Sequence, residues 1–139
     1  MGACKVEPDA SQQFAILRDY WKRKNYRSIV SDLDEAFKTL SRDVYGCHFR
    51  LAERTSAILI EAAPERDLAL HKYRHKDKAS SEGARGGWRI WAIFDRATET
   101  LYPIIVYPHK EWSDAPDELI KKCVSEIVTI LEQRDLDSN

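Results

Sequence analysis

LALHKYRHKDKASSEGARGGWRIWAIFDRATETLYPIIVY, residues 68 to 107, contains three apolar runs separated by two polar links. GWRIWAIF (87–94) and TLYPIIVY (100–107) are rich in β-branched and aromatic residues, LALHKYR (68–74) runs from apolar to basic, and the links are a Ser/Gly-rich loop and a short DRATE turn. Runs of this length and composition predict three consecutive strands in an antiparallel meander. Period-two alternation puts Leu68, Leu70, Lys72 and Arg74 on one face of the first strand, so that face turns from apolar to basic along its length. In the second strand Arg89 shares a face with Trp91 and Ile93, while Trp88, Ile90, Ala92 and Phe94 take the other; both tryptophans are read as core. Pro103 removes a ladder donor from the third run and suits an edge or a bulge.

If DRATE closes a nearly symmetrical hairpin, Arg89 falls opposite Val106 or Tyr107, and folding back the 75–86 loop brings Lys72 near Arg89. Lys72, Arg74, Arg89, Tyr107, His109 and Lys110 are then expected at one end of three neighbouring strands, with no obvious carboxylate among them. Like charges held together on a rigid sheet destabilise one another unless an anion joins them, so the expected ligand is polyanionic, and RNA is the natural candidate. Arginine offers a planar donor fork for phosphate oxygens. The segment from Arg66 to Arg89 carries seven cations (Arg66, Lys72, Arg74, Lys76, Lys78, Arg85, Arg89) against Asp67, Asp77 and Glu82, an excess of four. The whole chain has a net charge of -1, which argues against coating nucleic acid by bulk electrostatics.

Helices are expected on either side of the strands. From about Ala10 to Lys24, Phe14, Ile16, Leu17, Tyr20 and Trp21 recur at helical spacing after a Pro8-Asp9 start signal. Asn25 interrupts the pattern. A second amphipathic stretch carries Tyr26, Ile29, Val30, Leu33, Phe37 and Leu40, with Asp32, Asp34 and Glu35 assigned to its wet side. SRDVYGCHFRLAERT (41–55) reads as a loop with a short helix, and AILIEA (57–62) as a strand. After the last strand, Ser113 or Asp114 is placed to cap a helix with Pro116 in its first turn. Leu119, Ile120, Cys123, Val124, Ile127, Val128 and Leu131 form its apolar stripe, and residues 134–139 read as a polar tail.

With 139 residues, 43% hydrophobic and 32% charged, the chain suits one soluble domain, and no apolar run has membrane-spanning length. MGACKVEPDA lacks the apolar core of a secretory signal, and Val6 breaks the myristoylation pattern, so a cytoplasmic location is expected. Cys4, Cys47 and Cys123 are odd in number and far apart, which fits reduced packing thiols. His71 and His75 would lie about 13 Å apart on a strand, too far to share a zinc ion. GARGG lacks the GK[ST] ending of a phosphate loop and precedes a strand, so it is a connector; neither a metal nor a cofactor is expected.

The chain resembles the RelE/ParE superfamily of bacterial toxins, most closely its RelE and HigB-like branch. The resemblance rests on FAILRDYWKRKNYRSIVSDLDEAF, on LHKYRHKDKASSEGARGGWRIWAIFD and on TLYPIIVYPHKEW, which together span most of the chain. Its specific elements are a basic strand, a small-residue loop, GG-aromatic-Arg opening the next strand, and a Tyr-x-x-Lys ending to the one after. It implies a single α+β domain over residues 1–139, with two N-terminal helices and a C-terminal helix packed on a small curved antiparallel sheet. It further implies a type II toxin that cuts mRNA on the ribosome without a metal and is held by a cognate antitoxin, with no membrane involved. By the same resemblance Lys72, Arg74, Arg89, His109 and Lys110 are the catalytic candidates, and Lys76, Lys78, Arg85 and Tyr107 the RNA-binding ones. Cleavage would proceed by attack of a ribose 2′-OH, with Arg89 on transition-state charge, Lys72 or Lys110 on proton removal or charge, and His109 or Tyr107 on proton delivery. A ParE-like gyrase inhibitor without enzymatic activity and a catalytically inactive interaction domain are the alternatives.

Overall fold

The computed structural model describes residues 4–42, 49–51, 56–75 and 87–138. The chain is an α+β fold. Its elements run β1 (Lys5–Val6), a 3-10 turn at Pro8–Ala10, α1 (Gln12–Arg23), α2 (Ile29–Arg42), β2 (Phe49–Leu51), α3 (Ser56–Ala62), β3 (Leu68–His75), β4 (Trp88–Asp95), β5 (Thr100–Pro108) and α4 (Asp117–Ser138). The sheet has the order β1-β5-β4-β3-β2; only the β1–β5 pair is parallel.

The meander expected over 68–107 is the centre of that sheet. β4 and β5 are buried along their whole length, as central strands covered on both faces must be. Between Trp91 and Ala92 the register with β5 shifts, so that Trp91 faces Ile105 and Ala92 faces Pro103. The proline therefore sits at an irregularity of the ladder, where its missing N–H costs least. The outer strands β1 and β2 were not anticipated, and residues 49–51 fall in a stretch read as loop and helix. Strands of two and three residues are too short to display an alternation.

Helices cover both faces and one edge. α2 lies on the face of Trp88: the Asp32 carboxylate accepts the Trp88 indole N–H at 2.9 Å and the Ser28 hydroxyl at 2.8 Å. Asp32 is thus fully buried, correcting its assignment to the wet side of the helix. α4 lies on the opposite face, where Arg134 reaches the Tyr102 hydroxyl at 3.4 Å, and its buried stripe is the expected one. α1 runs past the edge of β5 that β1 leaves open. There the Trp21 indole N–H donates to the Val106 carbonyl at 2.8 Å, and the Cys123 thiol of α4 reaches the Ile104 carbonyl at 3.6 Å. An edge that would otherwise offer free carbonyls to another chain is closed by side chains.

Local chemistry sets the ends of the helices. Ser11 caps α1 by accepting from the Phe14 amide at 3.1 Å, and it donates to Glu126 at 3.0 Å, which ties α1 to α4. Asn25 has φ 76°, the left-handed region that asparagine tolerates, and turns the chain from α1 into α2. AILIEA is helical, not a strand: in α3 Leu59 is buried while Ala57 and Ile60 face solvent, a one-sided pattern that the apolar run concealed. Residues 134–138 continue α4 instead of forming a loose tail, held by Arg134 to Glu7 at 2.7 Å and by Asp135 to Arg66. Cys4 and Cys123 are buried free thiols, and burial pushes the Cys123 thiol up to about 12, which suits packing over reactivity. Cys47 lies outside the described residues.

Candidate functional site

The pairing of β3, β4 and β5 determines which cations meet. Arg74 is directly opposite Arg89, and Arg89 is directly opposite Tyr107; Lys72 faces Trp91 one step further in. Cross-strand partners project on the same face, so Lys72, Arg74, Arg89 and Tyr107 share the α4 face of the sheet, near the end where β5 leaves it. The sequence placed Lys72 beside Arg89; in the structure Arg74 holds that position.

Arg89 is only 2% exposed although it carries a permanent charge. Burial lowers its pKa first, and the neighbouring Arg74 lowers it further. His109 follows the last strand, with its amide bound to the Gly87 carbonyl at 3.0 Å, which anchors the start of the turn beside β4. Its pKa is lowered by desolvation and then by Arg89, Lys72 and Arg74. The three cations therefore act on one imidazole and favour its neutral form, in which one ring nitrogen can accept a proton.

The structure adds a carboxylate that the sequence reading did not place here. Asp114 lies 3.4 Å from the Lys72 ammonium and accepts the Tyr107 hydroxyl at 3.4 Å and the Ala115 amide at 2.9 Å. The first turn of α4 closes on the Pro116 carbonyl, reached by the Ile120 amide at 3.1 Å, so Pro116 lies just ahead of the helix. Lys72 also lies 5.5 Å over the Trp91 ring, whose indole N–H donates to the Tyr107 hydroxyl at 3.2 Å. Trp91, Tyr107, Asp114 and Lys72 form one connected set that positions the edge of the cationic cluster.

Two expected members stand differently. Tyr107 is fully buried, and burial pushes its pKa up to about 12, so it fits neither proton delivery nor RNA contact. Lys110 leaves the cluster: Pro108 accepts from the Glu111 and Trp112 amides, a turn that carries the Lys110 ammonium 5.3 Å over the Tyr26 ring, beside the junction of α1 and α2. Lys76, Lys78 and Arg85 lie outside the described residues. His71 and His75 sit on the other face of β3 from Lys72, and among the described residues no group of three or more His, Cys, Asp or Glu side chains could hold a metal ion.

The facing pair Arg74–Arg89 makes the site's response to anions measurable. Inorganic phosphate at tenfold its dissociation constant is expected to stabilise the fold by about 1.4 kcal/mol, a rise of roughly 5 °C in melting temperature. Arg74→Gln should remove most of that rise. An equal response to sodium chloride at matched ionic strength, or a response unchanged in Arg74→Gln, would mean that no anion is held there.

No protein-family model, no curated protein and no solved structure matches this chain. Among the described residues no helix is long and apolar enough to cross a membrane.

Proposed function

We propose that the chain is a RelE-like toxin of a type II toxin–antitoxin system, a metal-free endoribonuclease that cuts mRNA on the ribosome. The observation that carries this reading is the convergence of Lys72, Arg74 and Arg89 on His109 at one end of the sheet. Cutting RNA through its own 2′-OH needs a proton acceptor and fixed positive charge around the phosphorus, and this set supplies both.

In this mechanism a neutral His109 takes the proton of the 2′-OH, and the oxygen attacks the neighbouring phosphorus. Arg89 and Arg74 hold the charge that gathers on the phosphorane oxygens, and Lys72, steadied by Asp114, binds the strand beside it. The 5′-oxygen leaves with a proton from solvent, and a 2′,3′-cyclic phosphate remains. This gives His109 the role of base, in place of the proton delivery first expected of it. Tyr107 becomes a support and Lys110 a residue outside the chemistry. A small antitoxin bound over the cations would silence the site in the cytoplasm.

Mapping of transcript ends after induced expression tests the proposal. New 5′-hydroxyl ends within translated messages, accompanied by growth arrest, are expected. A DNA-damage response without new ends would replace this reading with gyrase inhibition, and the absence of both would leave an interaction domain.

A further inference from the structure

The turn that carries Lys110 away from the cationic cluster delivers it to another basic place. A pocket of about 310 Å³ opens between residues 24–28, where α1 passes into α2, and Lys110 and Glu111 after β5. The left-handed turn at Asn25 lets Lys24, just past α1, and Arg27, just ahead of α2, line the same space. Three cations meet one carboxylate there, and that carboxylate is already committed. Glu111 accepts the Tyr26 hydroxyl at 2.6 Å and pairs with Lys24 at 3.4 Å; the Tyr26 hydrogen bond is the leading reason its carboxyl stays below the usual range. Arg27 and Lys110 make no ion pair among the described residues. Lys110 holds its ammonium 5.3 Å over the Tyr26 ring, an attraction that places a cation without neutralising it.

The position of the pocket, more than its charge, indicates what fills it. Lys110 directly follows His109, and consecutive Cα atoms are about 3.8 Å apart, so the pocket begins one residue from the imidazole. On the other side Tyr26 packs on Trp88 at 5.5 Å between ring centroids, and Trp88 directly precedes Arg89. Neighbours in a strand point to opposite faces, so the pocket lies towards the α2 face and the cationic cluster on the α4 face. His109, anchored to the Gly87 carbonyl, stands between them at the end of the sheet. A small anion would need only one of these places. A polymer with a phosphate at every residue can occupy both, and a space of this size takes one unit of it, not a folded partner.

We infer that the pocket binds a phosphodiester flanking the one held by the cationic cluster, on the same RNA strand, with Arg27 as a donor fork and Lys110 as a point charge. The inference rests on the ribonuclease reading and adds the path of the strand to it. The RNA crosses the end of the sheet from the α4 face to the α2 face, passing over His109. Lys110, outside the chemistry, then holds the strand that is cut.

The test is fluorescence anisotropy of a labelled hexauridylate, 2′-O-methylated so that it cannot be cut, titrated with the full chain over a series of salt concentrations. Arg27 and Lys110 are both exposed, so the double variant Arg27→Gln, Lys110→Gln should keep the native melting profile. It is expected to bind about tenfold more weakly, with a log-log salt slope shallower by about 0.7, the share of one single-strand phosphate. Arg74→Gln should weaken binding as well, and Lys121→Gln, on an exposed turn of α4, should change nothing. Unchanged affinity and slope in the double variant, with a loss in Arg74→Gln, would overturn the pocket and spare the ribonuclease reading. Loss in the double variant alone would take the RNA away from the cluster and overturn the shared strand. No saturable binding by the unaltered chain, an equal loss in Lys121→Gln, or full displacement by hexaglutamate at matched charge would each overturn the inference, the last in favour of an acidic polypeptide.

Discussion

Trp21→Ala is expected to destabilise the protein by about 3–5 kcal/mol, measured as the shift in urea midpoint multiplied by an unchanged slope. Trp21 is 1% exposed, and its ring meets those of Tyr26 and Trp112 at 5.9 and 5.3 Å. Truncation opens a cavity between α1 and the sheet and also strands the Val106 carbonyl that the indole satisfied at 2.8 Å. A domain of this size is stable by roughly 5–15 kcal/mol, so the variant should be partly unfolded at 37 °C. Trp21→Phe separates the two contributions, keeping most of the ring and losing the hydrogen bond, and should cost about 1–3 kcal/mol. A loss below about 1 kcal/mol in Trp21→Ala would show that α1 is not the cover of the β5 edge.

The parts of this fold legible in the sequence are those whose signal runs long enough to be unambiguous. β4 and β5 are nearly continuous apolar runs of eight and nine residues bounded by polar links, β3 runs from apolar to basic over eight, and α1, α2 and α4 repeat at helical spacing over twelve or more. α3 has seven residues, too few for a short apolar run to separate helix from strand. Asp32 failed for another reason. Its position on α2 is polar by type, and only the arrival of Trp88 from a distant strand supplies the donor that lets a carboxylate be buried.

The candidate site divides along the same line. Lys72, Arg74 and Arg89 lie within strands, so parity groups Lys72 with Arg74, and a symmetrical folding back of the 75–86 loop brings Arg89 beside them. Lys110 lies beyond Pro108, where the chain turns and strand parity no longer applies. Asp114 comes from a loop, and its type and position resemble a helix cap; nothing local distinguishes a carboxylate that caps from one that reaches across to Lys72. The net charge of -1 hides a separation, with cations at one end of β4 and carboxylates outnumbering cations around the other. Composition sums over that separation and cannot display it.

Arg89 variants carry the largest functional expectation. Arg89→Met keeps an aliphatic stem of similar length in the buried position and removes the charge, so a native melting profile can be required before activity is compared. Under the proposed mechanism, RNA cleavage and growth arrest should fall by about a hundredfold or more, the effect of losing a positioned donor to a developing anion. Lost activity alone would not distinguish chemistry from packing, but His109 supplies a second readout. Arg89 is the leading charge that lowers the His109 pKa, so its removal must let that pKa rise toward the ordinary 6.5. The acid limb of the rate profile and the imidazole proton resonances should move to higher pH together. The sign follows from the roles: a base held neutral by neighbouring cations is protonated more readily once one is gone. A folded Arg89→Met protein with full toxicity would reject Arg89 as the transition-state contact. An unmoved His109 titration would show that the cations and the imidazole do not form one electrostatic unit.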